Sequence, residues 1–521
     1  MTGTRRSTCG GIGYTSKGAE VETLEDWTRA AGDIDPRRDL LIGGTWREAA
    51  SGKRFQTVNP ATGEVITEVA EADEADVDAA VGAARTAFDD NAWSRRSPRE
   101  RGEVLMRLAD LIEANATELQ LLETLDVGKP VRYSRRVDVE QAMMTYRWYG
   151  EASDKLYDDI APTGPDALGL ITREPVGVVG AVTPWNFPLM ISSWKLAPAL
   201  MAGNSVVHKP AEQSPLSALR IGELALEAGI PPGVLNVVPG FGETAGRALG
   251  VHPDVDAVAF TGSTAVGKRF LTYSGTSNMK RVSAETGGKT PNIIFADAPD
   301  LDFAISAVGF SIFWNTGEMC IAGSRLMVER PIYDEVVERV AAGSASWMPG
   351  DPLDPATKAG PIVSEQQLSR VMGYIERGAE EGATLVAGGA RTRTETGGYF
   401  VEPTVFADVS NDMTIAREEI FGPVLAIIPF DDNDHALAIA NDTSYGLSAA
   451  IWTSNLGRAH TLARDLRAGT VWVNNFDTSG IVAPFGGYKE SGFGGKDKSL
   501  QAIDKYTQTK TTWINLGRGG I

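Results

Sequence analysis

Between residues 176 and 285, short apolar runs alternate with helical patterns, and this alternation constrains the fold more than any other feature. The runs lie at 176–182, 204–209, 233–238, 256–260 and 280–285, and most are rich in valine. Strands that are apolar throughout are buried on both faces, so the helices between them must cover a sheet from two sides. The pattern predicts a parallel, doubly wound sheet of the Rossmann type.

One helix of this region carries start and stop signals. In the run PLSALRIGELALEAG, Ser214 is predicted to cap the N-terminus, Pro215 to occupy the first helical position and Gly229 to end the helix.

The flanking regions extend the α/β pattern. Residues 40–70 predict short strands around a turn at 59–63, and residues 74–125 and 138–155 predict helices. A second α/β block runs from about 289 to 485. The run TKTTWINL near the C-terminus alternates and predicts an edge strand. Residues 1–33 are polar and aperiodic and predict a flexible extension.

Charge and residue counts exclude several functions. The net charge is −19 and the pI about 4.8, which disfavours binding to nucleic acid or to an anionic membrane surface. No apolar run approaches the ~18 residues that span a bilayer. The two cysteines, Cys9 and Cys320, indicate a reducing, cytoplasmic setting, and Cys9 is expected to be an incidental thiol. The four histidines show no metal-ligand spacing, so no metal is expected.

Two runs suggest ligand contacts at strand ends. Phe260–Gly267 reads FTGSTAVG and precedes a predicted helix, whose free N–H groups could hold a phosphate. Taken alone this glycine pattern is weak. The run at 182–188, VTPWNFP, places Asn186 where it could donate to an oxyanion, although a stiff turn with core aromatics explains it equally well.

Three further positions carry candidate chemistry. Lys209 and Glu212 could contact ribose hydroxyls, or could be solvated surface. Glu285 is a candidate general base at a strand end. Cys320 is a candidate nucleophile, although a lone cysteine is more often an inert core residue.

In sequence order, the runs TPWNFP, KPAE, FTGS, E-x-GGK, G-x-x-C, EEIFGPV and PFGGYKESG resemble the aldehyde dehydrogenase superfamily over roughly residues 35–515. The resemblance implies an α/β fold with a Rossmann-type cofactor domain, an α/β catalytic domain and a small β oligomerisation extension. It assigns residues 34–155 and 177–288 to NAD(P) binding and 289–490 to catalysis. Segments 156–176 and 500–521 are expected to mediate oligomerisation, giving a homodimer or homotetramer.

The resemblance also assigns roles. Cys320 matches the nucleophile, Glu285 the base that activates water, Asn186 the oxyanion donor and Lys195 an auxiliary lysine of proton relay. Matched cofactor contacts are Thr183, Trp185, Lys209, Glu212, Gly262, Ser263, Gln367, Arg370, Glu419 and Phe421. Glu212 favours NAD over NADP, because a carboxylate repels a 2′-phosphate, although NADP remains open.

Three departures from the family pattern stand out. Glu318 replaces the usual glutamine two residues before Cys320, and we expect its carboxylate to point away, since an inward charge would disfavour the thiolate. Thr286 replaces leucine after the base, and SGFGGKDKS lacks the usual arginine.

Several segments are most similar to the branch that oxidises ω-amino aldehydes, including γ-glutamyl-γ-aminobutyraldehyde and guanidinobutyraldehyde, of polyamine and arginine breakdown. The resemblance predicts a substrate tunnel lined by Phe187, Ile191, Trp194, Trp314, Met319 and Ile321, with Glu140, Gln141 and Asp477 near its mouth. Plain packing is the alternative for each wall residue. A broad-specificity aldehyde dehydrogenase is the alternative function. The presence of Glu285 argues against a CoA-acylating enzyme, and the retained Cys, Asn and Glu argue against a non-catalytic protein.

Overall fold

The computed structural model describes residues 22–478 and 480–517. Cys9 lies outside the described residues. The N-terminal region contains α1 (Leu24–Gly32), β1 (Leu40–Ile42), β2 (Thr45–Arg47), β3 (Arg54–Val58), β4 (Val65–Ala70), α2 (Glu74–Asp89), α3 (Pro98–Ala114), α4 (Ala116–Val127), α5 (Val131–Tyr133) and α6 (Glu140–Ala152). Next come β5 (Asp159–Ala161) and β6 (Ala167–Pro175).

The alternating region forms β7 (Val178–Val182), α7 (Pro188–Ala202), β8 (Ser205–Lys209), α8 (Leu216–Ala228), β9 (Leu235–Val237), α9 (Arg247–Val251), β10 (Ala257–Thr261), α10 (Thr264–Gly275) and β11 (Arg281–Glu285). All five strands predicted from the sequence are present. They pair in parallel in the order β9-β8-β7-β10-β11, and β1 and β21 (Gly492–Phe493) join the two sides antiparallel. After β7 the chain adds β8 and β9 on one side of the sheet, and it then adds β10 and β11 on the other. Open α/β sheets bind ligands at such a switch point, which here lies between β7 and β10.

The second block forms β12 (Pro291–Ile294), α11 (Leu301–Phe313), β13 (Arg325–Glu329), α12 (Tyr333–Ser344), α13 (Glu365–Glu380), β14 (Thr384–Ala387), β15 (Arg391–Thr392), β16 (Phe400–Val401), β17 (Thr404–Ala407), α14 (Thr414–Arg417), β18 (Val424–Phe430), α15 (Asn433–Asn441), β19 (Ser448–Trp452), α16 (Leu456–Asp465) and β20 (Thr470–Val473). Its sheet has the order β14-β17-β18-β13-β12-β19-β20 and is parallel except for the β14–β17 pair.

A third, three-stranded sheet joins distant parts of the chain. β22 (Thr507–Asn515) pairs along its whole length with β6, and β5 lies on the other side of β6. The prediction of a C-terminal edge strand is therefore confirmed.

Residues 74–125 are helical, as predicted, and contain three helices, since α2 ends at Asp89 and α3 starts from a new capping box at Ser97. Two details differ from the sequence predictions. Residues 24–32 form a helix rather than part of a flexible segment, because Thr23 and Asp26 make a reciprocal capping box and Trp27 is buried. In α8, Pro215 rather than Ser214 is the N-cap residue, and no side chain caps the helix. Gly229 does end the helix, in the left-handed conformation.

None of the helices in the described ranges combines the length and apolar character needed to cross a membrane.

Candidate active site

The loops after β7 and β10 form one edge of the candidate site. Asn186 follows β7 and comes just before α7, which begins at Pro188. Ser263 follows β10 and caps α10, accepting a hydrogen bond from the Val266 N–H at 3.3 Å. Both loops emerge at the carboxyl ends of adjacent parallel strands, so the fold brings two motifs together that lie some 75 residues apart in the chain.

Cys320 lies on a tight loop that follows α11. Asn315, Thr316 and Gly317 all have positive φ, and a side chain at Gly317 would collide with the Gly422 carbonyl oxygen. Cys320 is partly buried and lines two cavities, one on each side of its loop. Burial, together with the charges of Glu419 and Glu285, raises the pKa of the Cys320 thiol to about 12.

Asn186 is anchored to the same loop. Its Nδ2 donates to the backbone oxygen of Glu318 at 2.9 Å, and Asn315 donates to the same oxygen at 3.2 Å. An amide nitrogen carries two hydrogens, and this bond uses one of them. Asn186 and Cys320 line the same cavity, so the structure brings the predicted oxyanion donor and nucleophile together.

Glu285 ends β11 and is buried. Its Oε2 accepts from the Gly487 N–H at 3.1 Å, while Oε1 is buried without a hydrogen-bond partner among the described residues. Burial, and after it the charge of Asp497, raises the pKa of Glu285 to about 8. A carboxyl group with such a pKa is suited to proton transfer near neutral pH.

Behind Glu285 lies a buried group of charges that includes Lys195. Its Nζ donates to Asp497 Oδ2 at 3.2 Å, and Lys505 contacts the other oxygen of the same carboxylate. Burial lowers the pKa of Lys195. Burial would raise the pKa of Asp497, but Lys195 and Lys505 hold it below its usual range. Lys195 was predicted from the resemblance. Asp497, whose only signal was the unusual SGFGGKDKS run, and Lys505, which lies beyond that run, were not predicted.

The first cavity has a volume of about 460 Å³ and contains most of the predicted cofactor contacts. Its lining includes Trp185, Gly262, Ser263, Gln367, Arg370, Glu419 and Phe421. It also includes Thr286, noted above only as a departure from the family pattern, and three residues that were not predicted from the sequence, Gln213, Ser364 and Gln366.

The wall opposite Ser263 is held by main-chain contacts. Gln367 Nε2 donates to the Phe421 oxygen at 2.7 Å, and Arg370 donates to the Glu419 oxygen at 2.8 Å. Glu419 Oε1 accepts from the Gly288 N–H at 2.9 Å, and the rings of Trp185 and Phe421 meet edge to face at 5.2 Å. Burial raises the pKa of Glu419 to about 7.

Three predicted cofactor residues do not line this cavity. Thr183 is buried, and its hydroxyl pairs with His208 Nε2 at 2.9 Å. Lys209 and Glu212 lie beside each other at the end of β8, with Nζ and Oε2 3.5 Å apart. Gln213, the next residue along the chain, does line the cavity, so Lys209 and Glu212 adjoin one end of it.

The second cavity, of about 370 Å³, opens on the other side of Cys320. We call it the tunnel. All the predicted substrate residues line it: Phe187, Ile191, Trp194, Trp314, Met319, Ile321, Asp477, Glu140 and Gln141. The sequence analysis missed Tyr133, Arg136, Met190, Phe310, Phe485 and Lys498, which also line it. Aromatic rings dominate its wall, with Phe187 and Trp314 at 5.6 Å and Trp194 and Phe485 at 5.5 Å.

The side chain of Glu318 points away from Cys320, as expected. It is buried, and its Oε1 accepts from the Val363 N–H at 3.1 Å. Burial raises the pKa of the Glu318 carboxyl well above its ordinary value, which favours its neutral form. Its charge is not among the main causes of the raised Cys320 pKa, which are burial, Glu419, Glu285 and Asp477.

The family model for aldehyde dehydrogenases matches residues 46–512, nearly the whole chain. The chain belongs to the aldehyde dehydrogenase family. The motifs had predicted this membership and the NAD(P)-linked oxidation of an aldehyde, and both are confirmed.

Three members of the family are similar over almost their full length. The NADP/NAD-dependent aldehyde dehydrogenase PuuC of Escherichia coli (strain K12) is 49% identical, with 95% of this chain and 99% of that protein covered. The crystal structure of γ-glutamyl-γ-aminobutyraldehyde dehydrogenase from Burkholderia cenocepacia J2315 is 54% identical with a TM-score of 0.93, covering 95% of this chain and all of that one. That of an indole-3-acetaldehyde dehydrogenase complexed with NAD+ is 55% identical with a TM-score of 0.94, over the same shares of the two chains.

Proposed function

We propose that this aldehyde dehydrogenase oxidises ω-amino or γ-glutamylamino aldehydes to carboxylic acids, in the breakdown of amines. The observation that carries the proposal is the tunnel, which runs from Cys320 past aromatic walls to the half-buried Glu140 and the exposed Arg136. Aromatic walls suit an alkyl chain, and charged groups at the outer end suit a substrate that ends in amine and carboxylate groups. The similarity to a γ-glutamyl-γ-aminobutyraldehyde dehydrogenase points to the same class.

Cys320 performs the first covalent step in this proposal. Its thiolate attacks the aldehyde carbon and forms a thiohemiacetal, whose oxyanion lies near the Asn186 amide and the Cys320 N–H. Donors placed at a developing oxyanion stabilise the transition state more than the ground state. The raised pKa of the Cys320 thiol means that a positive charge or a proton acceptor must assist ionisation.

Residues that line the first cavity, among them Ser263 and Glu419, would hold NAD, which when bound would accept the two electrons of the oxidation. The residues fit such a group: Gly287 leaves room for the Glu419 carboxylate, with which any side chain there would collide, and Ser263, the N-cap residue of α10, lines the same cavity.

Glu285 serves the second half of the reaction. As a carboxylate it takes a proton from water, and the resulting hydroxide attacks the Cys320 thioester and releases the acid. The Lys195–Asp497 pair lies next to Glu285 and offers a route for the proton.

The substrate class is tested by comparing kcat/KM for a γ-glutamylamino aldehyde with kcat/KM for a plain aliphatic aldehyde of equal chain length. The proposal expects a clear preference for the first. Glu140→Gln should reduce that preference, because it removes the carboxylate that faces the amine. A preference for the plain aldehyde in the wild-type enzyme would overturn the proposal.

A broad-specificity enzyme for aliphatic and aromatic aldehydes is the second candidate. It is favoured by the stacked rings of Phe310 and Trp314, 5.3 Å apart, and by the likeness to an indole-3-acetaldehyde dehydrogenase. Equal kcat/KM values for aromatic, aliphatic and amino aldehydes would support it.

We propose NAD rather than NADP as the preferred cofactor, on the carboxylate of Glu212 beside Lys209. Initial rates with each cofactor test this preference. Glu212→Gln should raise the rate with NADP relative to NAD, and an unchanged ratio would contradict the assignment.

A further inference from the structure

Lys498 places an ammonium group inside the wall of the tunnel. The residue is only 7% exposed, and it lines the same cavity as Cys320. Its Nζ lies 4.3 Å from the centre of the Trp194 ring and 5.2 Å from that of Phe485. Such positions, over the faces of aromatic rings, are those in which proteins bind cationic ligands. Lysine is rarely buried to this extent, so the position requires an explanation.

The backbone holds this lysine in place at a conformational cost. Lys498 and Ser499 have φ of +59° and +52°, which residues other than glycine rarely adopt. Asp497 exchanges two backbone hydrogen bonds with Phe485, each of 2.7 Å, and the Ser499 oxygen accepts from the Tyr149 hydroxyl at 2.9 Å. The contacts on both sides fix the direction in which the lysine enters the tunnel.

Asp477 supplies the opposite charge in the same cavity. It lines the tunnel with Lys498, and its φ of +56° is also left-handed. Burial lowers the pKa of Lys498, and the negative charges of Asp477 and Asp497 oppose that change. The tunnel therefore contains both an aromatic surface and a carboxylate, the two features that hold an ammonium ligand, together with a lysine that already uses them.

We propose that Lys498 is a specificity-determining residue that keeps cationic groups out of the inner tunnel, because its own ammonium occupies the aromatic faces of Trp194 and Phe485. The inference builds on the proposed function and narrows its substrate class. Accepted aldehydes are neutral along the part of the chain next to the reacting carbon, and carry charge only at the outer end, where Arg136 and Glu140 lie. A γ-glutamylamino aldehyde meets this requirement, since an amide nitrogen is neutral.

Two aldehydes of nearly identical shape test the proposal. Trimethylammonioacetaldehyde carries a permanent positive charge close to the aldehyde, and tert-butylacetaldehyde replaces the nitrogen by carbon. The readout is the ratio of kcat/KM for the cation to kcat/KM for the neutral compound. The wild-type enzyme should favour the neutral compound by about tenfold or more, from the usual strength of a desolvated cation–π contact. Equal values in the wild-type enzyme would overturn the proposal, without any variant being needed.

Variants show whether Lys498 is the cause. Lys498→Met keeps the apolar stem but removes the charge, and should raise the ratio by about tenfold or more, since Trp194, Phe485 and Asp477 can then hold the substrate cation. Lys498→Arg should keep the wild-type ratio. The double change Lys498→Met with Asp477→Asn should lose part of the gain.

The ratio separates this proposal from the proposed function. Turnover of tert-butylacetaldehyde reports aldehyde oxidation, whichever way the ratio moves. A ratio that stays at the wild-type value in Lys498→Met overturns the specificity role while leaving the dehydrogenase assignment in place. A ratio that rises equally in Lys498→Arg overturns it as well, because the positive charge would then be irrelevant.

Discussion

At the scale of single residues, Asn186 uses one amide hydrogen to bond the Cys320 loop, and we propose that the other donates to the oxyanion. Asn186→Ala should lower kcat by about 100- to 1000-fold, as the loss of one oxyanion donor does in comparable sites. Single-turnover measurements should show a loss in the formation of the thioester and also in its hydrolysis, because both steps develop an oxyanion on the same oxygen. A slower hydrolysis with unchanged acylation would contradict the assignment. Cys320→Ala, with no activity, is the control for background rates.

The raised pKa of Glu285 predicts how the rate of thioester hydrolysis depends on pH. Its pKa is raised to about 8, and only the carboxylate can accept a proton from water. The rate of thioester hydrolysis should therefore rise with pH up to about 8 and level off above it. Glu285→Gln should remove this rise and lower the rate. Pre-steady-state kinetics across pH 6–10 measure both, and a rise that survives in the variant would assign the base to another group.

The raised pKa of Glu318 predicts how the stability of the folded protein changes with pH. Its folded pKa is raised by burial, so the folded protein keeps a proton that the unfolded chain releases above its own, ordinary pKa. The native state therefore loses stability as the pH rises from about 4.5 towards the folded pKa. Glu318→Gln removes this loss while keeping an oxygen that can accept from the Val363 N–H. Thermal unfolding should show the variant gaining stability over the wild type as the pH rises above 4.5, the ordinary pKa of the group, and a pH-independent difference would contradict the prediction.

At the scale of elements, the N-cap residue of α10 also lines the proposed cofactor cavity. Ser263 accepts from the Val266 N–H, and removing such a cap costs about 1 kcal/mol. Ser263→Ala should lower stability by that amount and also raise the KM for NAD, because Ser263 itself lines the cavity. Ser97→Ala removes the matching cap of α3, which does not line the cavity. It should cost similar stability at an unchanged KM. If both variants raised the KM for NAD equally, the rise would follow from lost stability and not from a contact of Ser263 with the cofactor.

Elements whose signals are local were predictable from the sequence. The five parallel strands from Val178 to Glu285 were each expected within two or three residues, because buried runs and bounding helices lie side by side in the chain. The Ser214 cap was wrong by one position. Serine and proline are both common where helices begin, and the structure has Pro215 as the N-cap residue.

Contacts between distant segments could not be predicted in this way. Lys195 and Asp497 are 302 residues apart in the chain, and Lys498 is separated from Trp194 by a similar number of residues. Family resemblance identified Lys195, but nothing in the unusual run around Asp497 indicated that its carboxylate would contact Lys195. The role of a single residue within a motif could therefore be predicted from the sequence. Contacts between residues of two distant motifs could not.

At the scale of the whole molecule, the sheet formed by β5, β6 and β22 leaves apolar side chains exposed. Tyr157, Ile160, Trp513 and Leu516 are 81%, 68%, 65% and 56% exposed. β22 also presents an unpaired edge in the described part of the chain, and natural proteins rarely leave such an edge uncovered. We propose that this sheet is an assembly surface between copies of the chain, as was expected of segments 156–176 and 500–521.

Trp513→Asp tests that surface, because it places a charge on the exposed sheet without disturbing a buried contact. Light scattering after size-exclusion chromatography should show the wild-type chain as a dimer or tetramer and the variant at a lower mass. Leu456→Asp is the matched control, since Leu456 is 72% exposed on α16, outside the three-stranded sheet. An assembly mass that is the same in the Trp513 variant and the wild type would place the interface elsewhere. A loss in both variants would mean that added surface charge, and not this sheet, governs association.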